Sequence, residues 1–574
     1  MKNILIILAA ALVIALPFIF RLGDDSGTWR PGNPELVVIS PHNEAIRRTF
    51  SDGFARWHNE KYGVPVRIDW RAVGGTTEIM RYLSAEYTSS AKSYFLKKNG
   101  SWPADGASIV LSRRAPVDSD KLALWKAFRA VDDPSFISSG IDLFFGGGVY
   151  DHNKAARQGL TVPAWKDGVA PVGIFEDKEG FTLIPEAVNG EQWRSDTFYG
   201  SALSTFGICF NINRLKDLGI ETPPASWDDL ADPRYMGQLG LTDPTKSGSI
   251  AKTFEMIIHT LCSRRVASAG FSRKQIAEYE KLISVAHLCP GGLPEGVPAK
   301  YQQSVEQGWV DGVQLIRRLG AQARYFTVSS GKVPVDVSLG FVAAGVCIDF
   351  YGRYQAEIST LPDGEPVMEY ITPIGGSSVT ADPISLLRGA RQRELAVRFI
   401  TYVLSADGQK LWNYRRGEPG GPTDFSLRRL PIRRDFYPSD DSCLQSRFEE
   451  HKPHLTDPLW RRDVDAYQLS EAFFYNSRWT GRHFGIQRDL VKAMCLDSAD
   501  ELRAAWKAIL ENGGPEANPE AMQAFEALPV EPYPLTWKDA VTTCSAVSRL
   551  ELLREWTAFF RRQYRLAAEL ARDS

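Results

Sequence analysis

Leu239-Gly240-Leu241-Thr242-Asp243-Pro244-Thr245-Lys246-Ser247-Gly248-Ser249 joins a short run of buried-strand type to a turn rich in Gly, Ser and Thr. Beyond it, Phe254, Ile257, Ile258 and Leu261 recur at helical spacing. Strand, polar turn and helix in that order form one unit of a doubly wound sheet. The same grammar recurs outward along the chain. Leu36 to Ser40 leads through Pro41-His42-Asn43-Glu44 into a helix marked by Ile46, Phe50, Phe54 and Trp57. Val64 to Val73 leads through Gly74-Gly75-Thr76-Thr77 into a second helix, and Ile141 to Phe145 runs into Gly146-Gly147-Gly148. A later series holds Ala202 to Asn211, Phe341 to Phe350, and Tyr370 to Pro373, followed by Gly375-Gly376-Ser377-Ser378 and Pro383 to Leu387.

This pattern predicts an α/β protein of two doubly wound, mostly parallel lobes with a central ligand cleft and more than one crossing between them. The expected divisions are a leader at 1–30 and a first lobe at 31–197, decorated by an insertion at 87–140. A second lobe at 198–372, a return to the first at 373–430 and a mostly helical C-terminal extension at 431–574 follow. The last helix is expected to start at Thr536, where Thr536 and Asp539 form a capping pair. The stripe Val547, Leu550, Leu553, Trp556, Phe560 and Tyr564 would then pack on a lobe.

Lys2 followed by an unbroken apolar run from Ile4 to Phe20 reads as a secretion signal or an uncleaved membrane anchor, the anchor being favoured. Either would place the body of the chain outside the cytoplasmic membrane. With 67 basic and 69 acidic residues among 574 the chain offers no field that would draw nucleic acid. Of the seven cysteines, Cys262 and Cys289 flank a hairpin-like segment and form the one candidate disulfide, while Cys209 and Cys347 read as core residues.

Ligands of open α/β sheets settle beyond the carboxyl ends of the strands, against the loops that start the next helices. The candidate ligand-binding residues are therefore His42, Asn43, Gly75, Thr76, Thr77, Gly146, Gly147, Gly148, Ser204, Thr205, Thr245, Lys246, Ser247, Gly248 and Ser249, with Asp349 and Tyr351 after a later strand. Glycine permits close backbone approach, hydroxyls donate, and free N–H groups at helix starts favour negative charge. No G-x-S-x-G elbow, phosphate-loop motif or H-E-x-x-H is present, so binding is expected, not catalysis, and no cofactor is called for.

Three strings carry a family resemblance: Ala202 to Asn211 (ALSTFGICFN), Pro224 to Gly237 (PASWDDLADPRYMG) and Thr242 to Ser249 (TDPTKSGS). They resemble extracellular solute-binding proteins of ABC importers, in the subgroup of the type II periplasmic-binding fold that includes ferric-ion and phosphosugar binders. The resemblance spans residues 35–430. It implies a monomeric two-lobed clamp that captures a small molecule or ion and hands it to an ABC permease. Ferric binders of this group use a His and a carboxylate from the first lobe with a Tyr pair from the second. Here His42 matches, three glycines stand where the carboxylate would be, and Asp349, Tyr351 and Tyr354 are the nearest substitutes. A hard trivalent cation needs several anionic oxygens, so a small anionic organic or phosphorylated solute is favoured over iron. A membrane-tethered ligand sensor built on the same clamp is the further alternative.

Overall fold

The structure, a computed structural model, describes residues 29–133, 135–165, 168–286, 293–542 and 547–573. The apolar run Ile4 to Phe20 and Cys289 lie outside the described residues. Cys262 is buried, its thiol 3.5 Å from the Val305 carbonyl oxygen. Among the described residues, no helix is long and apolar enough to cross a membrane.

The strands, in chain order, are β1 (Glu35–Ile39), β2 (Arg67–Arg71), β3 (Leu143–Phe145), β4 (Thr161–Val162), β5 (Ala187–Val188), β6 (Glu191–Gln192) and β7 (Tyr199–Ser204). They continue with β8 (Phe206–Asn211), β9 (Leu239–Thr242), β10 (Ala323–Thr327), β11 (Ala344–Ile348), β12 (Met368–Ile371), β13 (Thr380–Leu387) and β14 (Leu430–Pro431). One sheet has the order β14-β7-β13-β3-β1-β2, with β4 also on β13; a second has the order β10-β9-β11-β8-β12; β5 and β6 form a separate hairpin. Each sheet is the floor of one lobe. Leu36, Val38 and Ile39 of β1 are fully buried, as expected of a strand covered on both faces.

The run Ala202 to Asn211 is the first crossing between lobes. It divides at Thr205 into β7, which pairs with β13 and β14, and β8, which pairs with β11 and β12. The second lobe therefore begins at Phe206, not at residue 198. The sheets are also less parallel than the sequence pattern predicts. β1, β2 and β3 are mutually parallel, as are β9, β10 and β11, but β7, β13 and β14 run antiparallel to their neighbours, and so do β8 and β12. The crossing segments enter each sheet from the side of the other lobe, which reverses their direction.

The expected insertion does not begin at residue 87. The helix Thr76–Asn99 runs through it, because Ile79, Leu83, Tyr87, Ala91 and Phe95 recur every fourth residue and are all buried. Tyr87 also donates its hydroxyl to the Arg388 carbonyl oxygen at 2.6 Å. The added material starts at Gly100, whose left-handed φ of 69° ends that helix.

The C-terminal extension serves both lobes. Phe436, Tyr437, Phe448, Leu455 and Leu469 join the core of the first, whereas Phe473 and the residues after it join the core of the second. Between Ala472 and Phe473 the chain thus crosses a third time. Arg317, fully buried in the second lobe, donates to the carbonyl oxygens of Phe525 and Ala527 and so fastens the extension. Thr536 does accept from the Asp539 N–H at 3.0 Å, but the long terminal helix is Arg549–Asp573. Its buried stripe is Leu552, Trp556, Phe560 and Tyr564, while Leu550 is 81% exposed.

Candidate functional site

Between the lobes lies a cavity of about 1060 Å³. Among the predicted residues, His42, Asn43, Gly75, Thr76, Gly147, Gly148, Ser204, Lys246, Ser247, Gly248, Ser249 and Tyr351 line it. Four strand-to-helix loops thus converge on it, those at residues 41–44, 74–77 and 146–148 from the first lobe and 245–249 from the second. The loop at residues 375–378 does not reach the cavity; Trp227 donates its indole N–H to the Gly376 carbonyl oxygen at 2.7 Å beneath the crossing.

The loops differ in how their helices start. Asn43 accepts from the Ile46 N–H at 3.0 Å and Ser247 from the Ile250 N–H at 3.4 Å, so each caps its own helix. Gly75 and Gly148, both on the cavity wall, start the helices Thr76–Asn99 and Val149–Arg157 without any capping side-chain bond. Gly147 has a φ of 105°, and a Cβ there would meet the Thr76 methyl at 2.3 Å. Only glycine lets the two loops close this tightly.

Six predicted residues are not on the cavity wall. Gly146 stands behind His42: a Cβ on it would lie 2.5 Å from His42 Nε2. Thr77 accepts from Arg488 at 2.9 Å, and Thr245 donates to Asp243 at 2.7 Å within its own turn. Thr205 and Asp349 are fully buried and bonded to each other. Tyr354 sits on the helix Asp349–Ile358, 42% exposed and away from the cleft. The ferric set His42, Asp349, Tyr351 and Tyr354 is therefore not brought together, and among the described residues no group of three or more His, Cys, Asp or Glu is placed to hold a metal.

His42 is engaged at the base of the cleft. Its Nε2 lies 2.9 Å from Asp382 of β13, and Arg429 bonds both Asp382 and, at 2.7 Å, the Ser204 hydroxyl. Burial alone would raise the Asp382 carboxyl, yet Arg429 and His42 hold it well below the usual carboxylate range. Behind them His152, stacked on Phe144 at 4.0 Å, is pushed down to about 4 by burial and is neutral at physiological pH.

Sequence reasoning missed the contribution of the extension. Tyr475, Asn476, Ser477, Arg478, Gly481, Arg482 and Phe484 wall one flank of the cavity. The signal was present in the Gly, Ser, Asn and Arg of Asn476 to Arg482, a loop composition like that of the four others. Tyr475 donates to Glu255 at 2.6 Å, and Lys252 bridges Glu191 and Glu255 at 2.9 and 3.0 Å. Arg478 is paired with Glu280 at 2.6 Å.

The cavity wall carries eight Lys and Arg against five Asp and Glu. Lys252, Arg429 and Arg478 are taken up by the pairs just described. Among the described residues, Arg113, Lys154, Arg157, Lys246 and Arg482 have no carboxylate within ion-pair distance. The one remaining acid, Asp151, is driven up by burial despite a bond from Thr76 and the nearness of Arg488 and Lys154. The cleft has an excess of positive charge together with two open helix starts.

The family described as bacterial extracellular solute-binding protein matches residues 136–431, more than half of the chain. An uncharacterized protein of Haemophilus influenzae is 20% identical over 273 residues, which is 47% of this chain and 60% of that relative. The chain therefore spans 60% of the length of the curated relative it matches. Solved structures similar to it include the periplasmic binding protein AfuA from Actinobacillus pleuropneumoniae with fructose-6-phosphate, at 16% identity and a TM-score of 0.43 over 79% of this chain and 98% of that one. Iron-bound HitA from Pseudomonas aeruginosa is 15% identical with a TM-score of 0.40, over 76% of this chain and 96% of that one. Two lobes joined by crossing strands around a lined cleft, and a family match over the segment that builds most of it, lead to one assignment: the chain belongs to the bacterial extracellular solute-binding proteins.

Proposed function

We propose that the protein captures a small anionic organic or phosphorylated solute outside the cytoplasmic membrane and delivers it to the permease of an ABC importer. Family membership supports the role and the location. The ligand class rests on one observation: Lys246, Lys154, Arg113, Arg157 and Arg482 line, without an ion-pair partner, the same cavity as the starts of two helices that lack a capping side chain. Like charges on one cavity wall and helix starts without a capping side chain favour a negatively charged ligand. A ferric cation would meet the same field with the opposite sign.

Thermal denaturation in the presence of organic acids, phosphorylated sugars and ferric salts tests this reading. At one hundred times its dissociation constant a ligand stabilises the folded state by about 2.7 kcal/mol. That corresponds to a rise in Tm of roughly 2–4 °C for a protein of this size. The rise is expected with a member of an anionic group. A rise with ferric ion alone, accompanied by a visible tyrosinate charge-transfer band, would overturn the proposal.

A further inference from the structure

The cationic residues of the cleft are not gathered at one point. The helix Val149–Arg157 lies along the cavity: Tyr150, Asn153, Lys154 and Arg157, spaced for a single helical face, all line it. Its uncapped start at Gly148 faces the loops at residues 74–77 and 245–249, where Lys246 and Ser249 stand. Its last turn carries Lys154 and Arg157. At 1.5 Å per residue the two ends are on the order of 10 Å apart.

Basic residues in a last turn have an ordinary explanation, since they complement the helix dipole. That explanation does not extend to what surrounds them. Arg113 comes from the added segment between the helices Gly106–Val110 and Ser119–Ala130, and Arg482 from the C-terminal extension. Both reach the same cavity. Lys154 is half-buried, and burial pushes its ammonium below the usual range; Asp151 opposes that shift, and the nearby Arg113, Arg488 and Arg81 add to it. Among the described residues, none of Arg113, Lys154, Arg157 or Arg482 has a carboxylate within 4 Å. Like charges from three separate segments thus line one cavity, with Asp151 acting on Lys154 and Glu280 on Arg482 only from beyond ion-pair distance.

We propose that the cleft has a second anion subsite at its rim, formed by Arg113, Lys154 and Arg157 of the first lobe and Arg482 of the extension, so that the captured solute carries two anionic groups separated by a short polar skeleton. The proposal rests on the anion reading above and narrows it. The deeper group would sit at Gly75, Gly148, Lys246 and Ser249, and the outer group at the arginines. A six-carbon chain substituted at both ends has the required reach. The intervening wall, with Asn153, Asn476 and Ser477, offers amides and a hydroxyl to such a skeleton.

Isothermal titration with matched pairs tests it: fructose-6-phosphate against fructose bisphosphate, and lactate against citrate. In at least one pair the multiply charged member should bind tenfold or more tightly. In Arg113→Ala/Arg157→Ala that advantage should vanish, bringing the two members of the pair to similar affinity. Both arginines are exposed, so the variant should melt with the wild type. Arg482→Ala, from the opposite wall, should reduce the same advantage and serves as the second variant. Equal affinities within both pairs, alongside measurable binding of the singly charged members, would overturn the second subsite alone. So would an advantage that survives in both variants. No binding of any of the four probes would overturn the second subsite together with the anion reading on which it stands.

Discussion

Ser247 serves the fold and the cleft at once. Its hydroxyl oxygen accepts from the Ile250 N–H at 3.4 Å, starting the helix Gly248–Ser268, and lies 3.0 Å from the Ser249 hydroxyl. Removing it costs a cap, about 1 kcal/mol, before any ligand is considered. Lys246 and Ser249 separate the two effects, because Lys246 is exposed without an ion-pair partner and Ser249 caps nothing. Lys246→Ala/Ser249→Ala should weaken binding of the anionic ligand by at least about a hundredfold, each of the two lost bonds to a charged group being worth about 1.5–3 kcal/mol when desolvated. Its Tm without ligand should stay within about 1 °C of the wild type, as for surface changes away from caps and core. Unchanged affinity would remove the second lobe's half of the site. At this scale the sequence is informative about residue type and silent about direction. The hydroxyls of residues 245–249 were readable as a cleft loop, but nothing local says that Thr245 turns back to Asp243. Nor does anything near Thr77 reveal Arg488, which reaches it from a helix more than four hundred residues away.

Asp349 shows how an element is pinned by a residue that looks functional in isolation. It follows a strand, precedes a helix and carries a charge, as a ligand residue would. Its Oδ2 accepts from the Thr205 N–H at 3.0 Å and its Oδ1 from the Phe350 N–H at 2.8 Å, while its own N–H donates to the Thr205 carbonyl oxygen at 3.0 Å. Thr205 is also 3.0 Å from the hydroxyl of Thr372 at the second crossing, and Ser377 accepts from the Phe206 N–H at 2.9 Å. The two crossings are thereby stitched into one hinge. Asp349→Ala leaves the Thr205 and Phe350 N–H groups without that acceptor in the dry interior, and should lower stability by roughly 2–4 kcal/mol. Titrated well below its melting temperature, the variant should keep ligand affinity within a few-fold. A loss of a hundredfold or more would return Asp349 to the binding site. The run Ala202 to Asn211 was legible as β structure, since it is apolar and rich in strand formers. Its division at Thr205 was not, because what divides it is a carboxylate 144 residues away. The helix Thr76–Asn99 was obscured for a different reason. Ser89, Lys92, Ser93 and Lys97 on its exposed face gave the stretch a polar look, although its buried stripe is regular.

Across the whole molecule the extension alters what a two-lobed clamp can do. It leaves the first lobe at Ala472, where the Tyr475 N–H donates to the Asn189 carbonyl oxygen at 2.9 Å, and it walls the cleft as far as Phe484. Arg488 then reaches back across the opening. It donates to the carbonyl oxygens of Pro244 and Thr245 in the second lobe, at 2.8 and 3.1 Å, and to the Thr77 hydroxyl in the first at 2.9 Å. Tyr150 and Phe484, one from each side, meet at 4.8 Å between ring centres. The extension thus contributes bonds that exist only while the lobes are close, and ligand binding draws on the same closed arrangement. Such contacts shift the equilibrium toward closure by their own free energy, and a half-buried hydrogen bond of this kind is worth about 1 kcal/mol, or roughly fivefold. Arg488→Ala should therefore give a larger radius of gyration than the wild type without ligand, measured by small-angle scattering, and the same radius with ligand at saturation. Its affinity for the anionic ligand should fall by about fivefold, the closure free energy now being drawn from binding. Identical ligand-free scattering and identical affinity in the two proteins would mean that the extension merely rests on the cleft. In that case the clamp would open and close as two lobes alone.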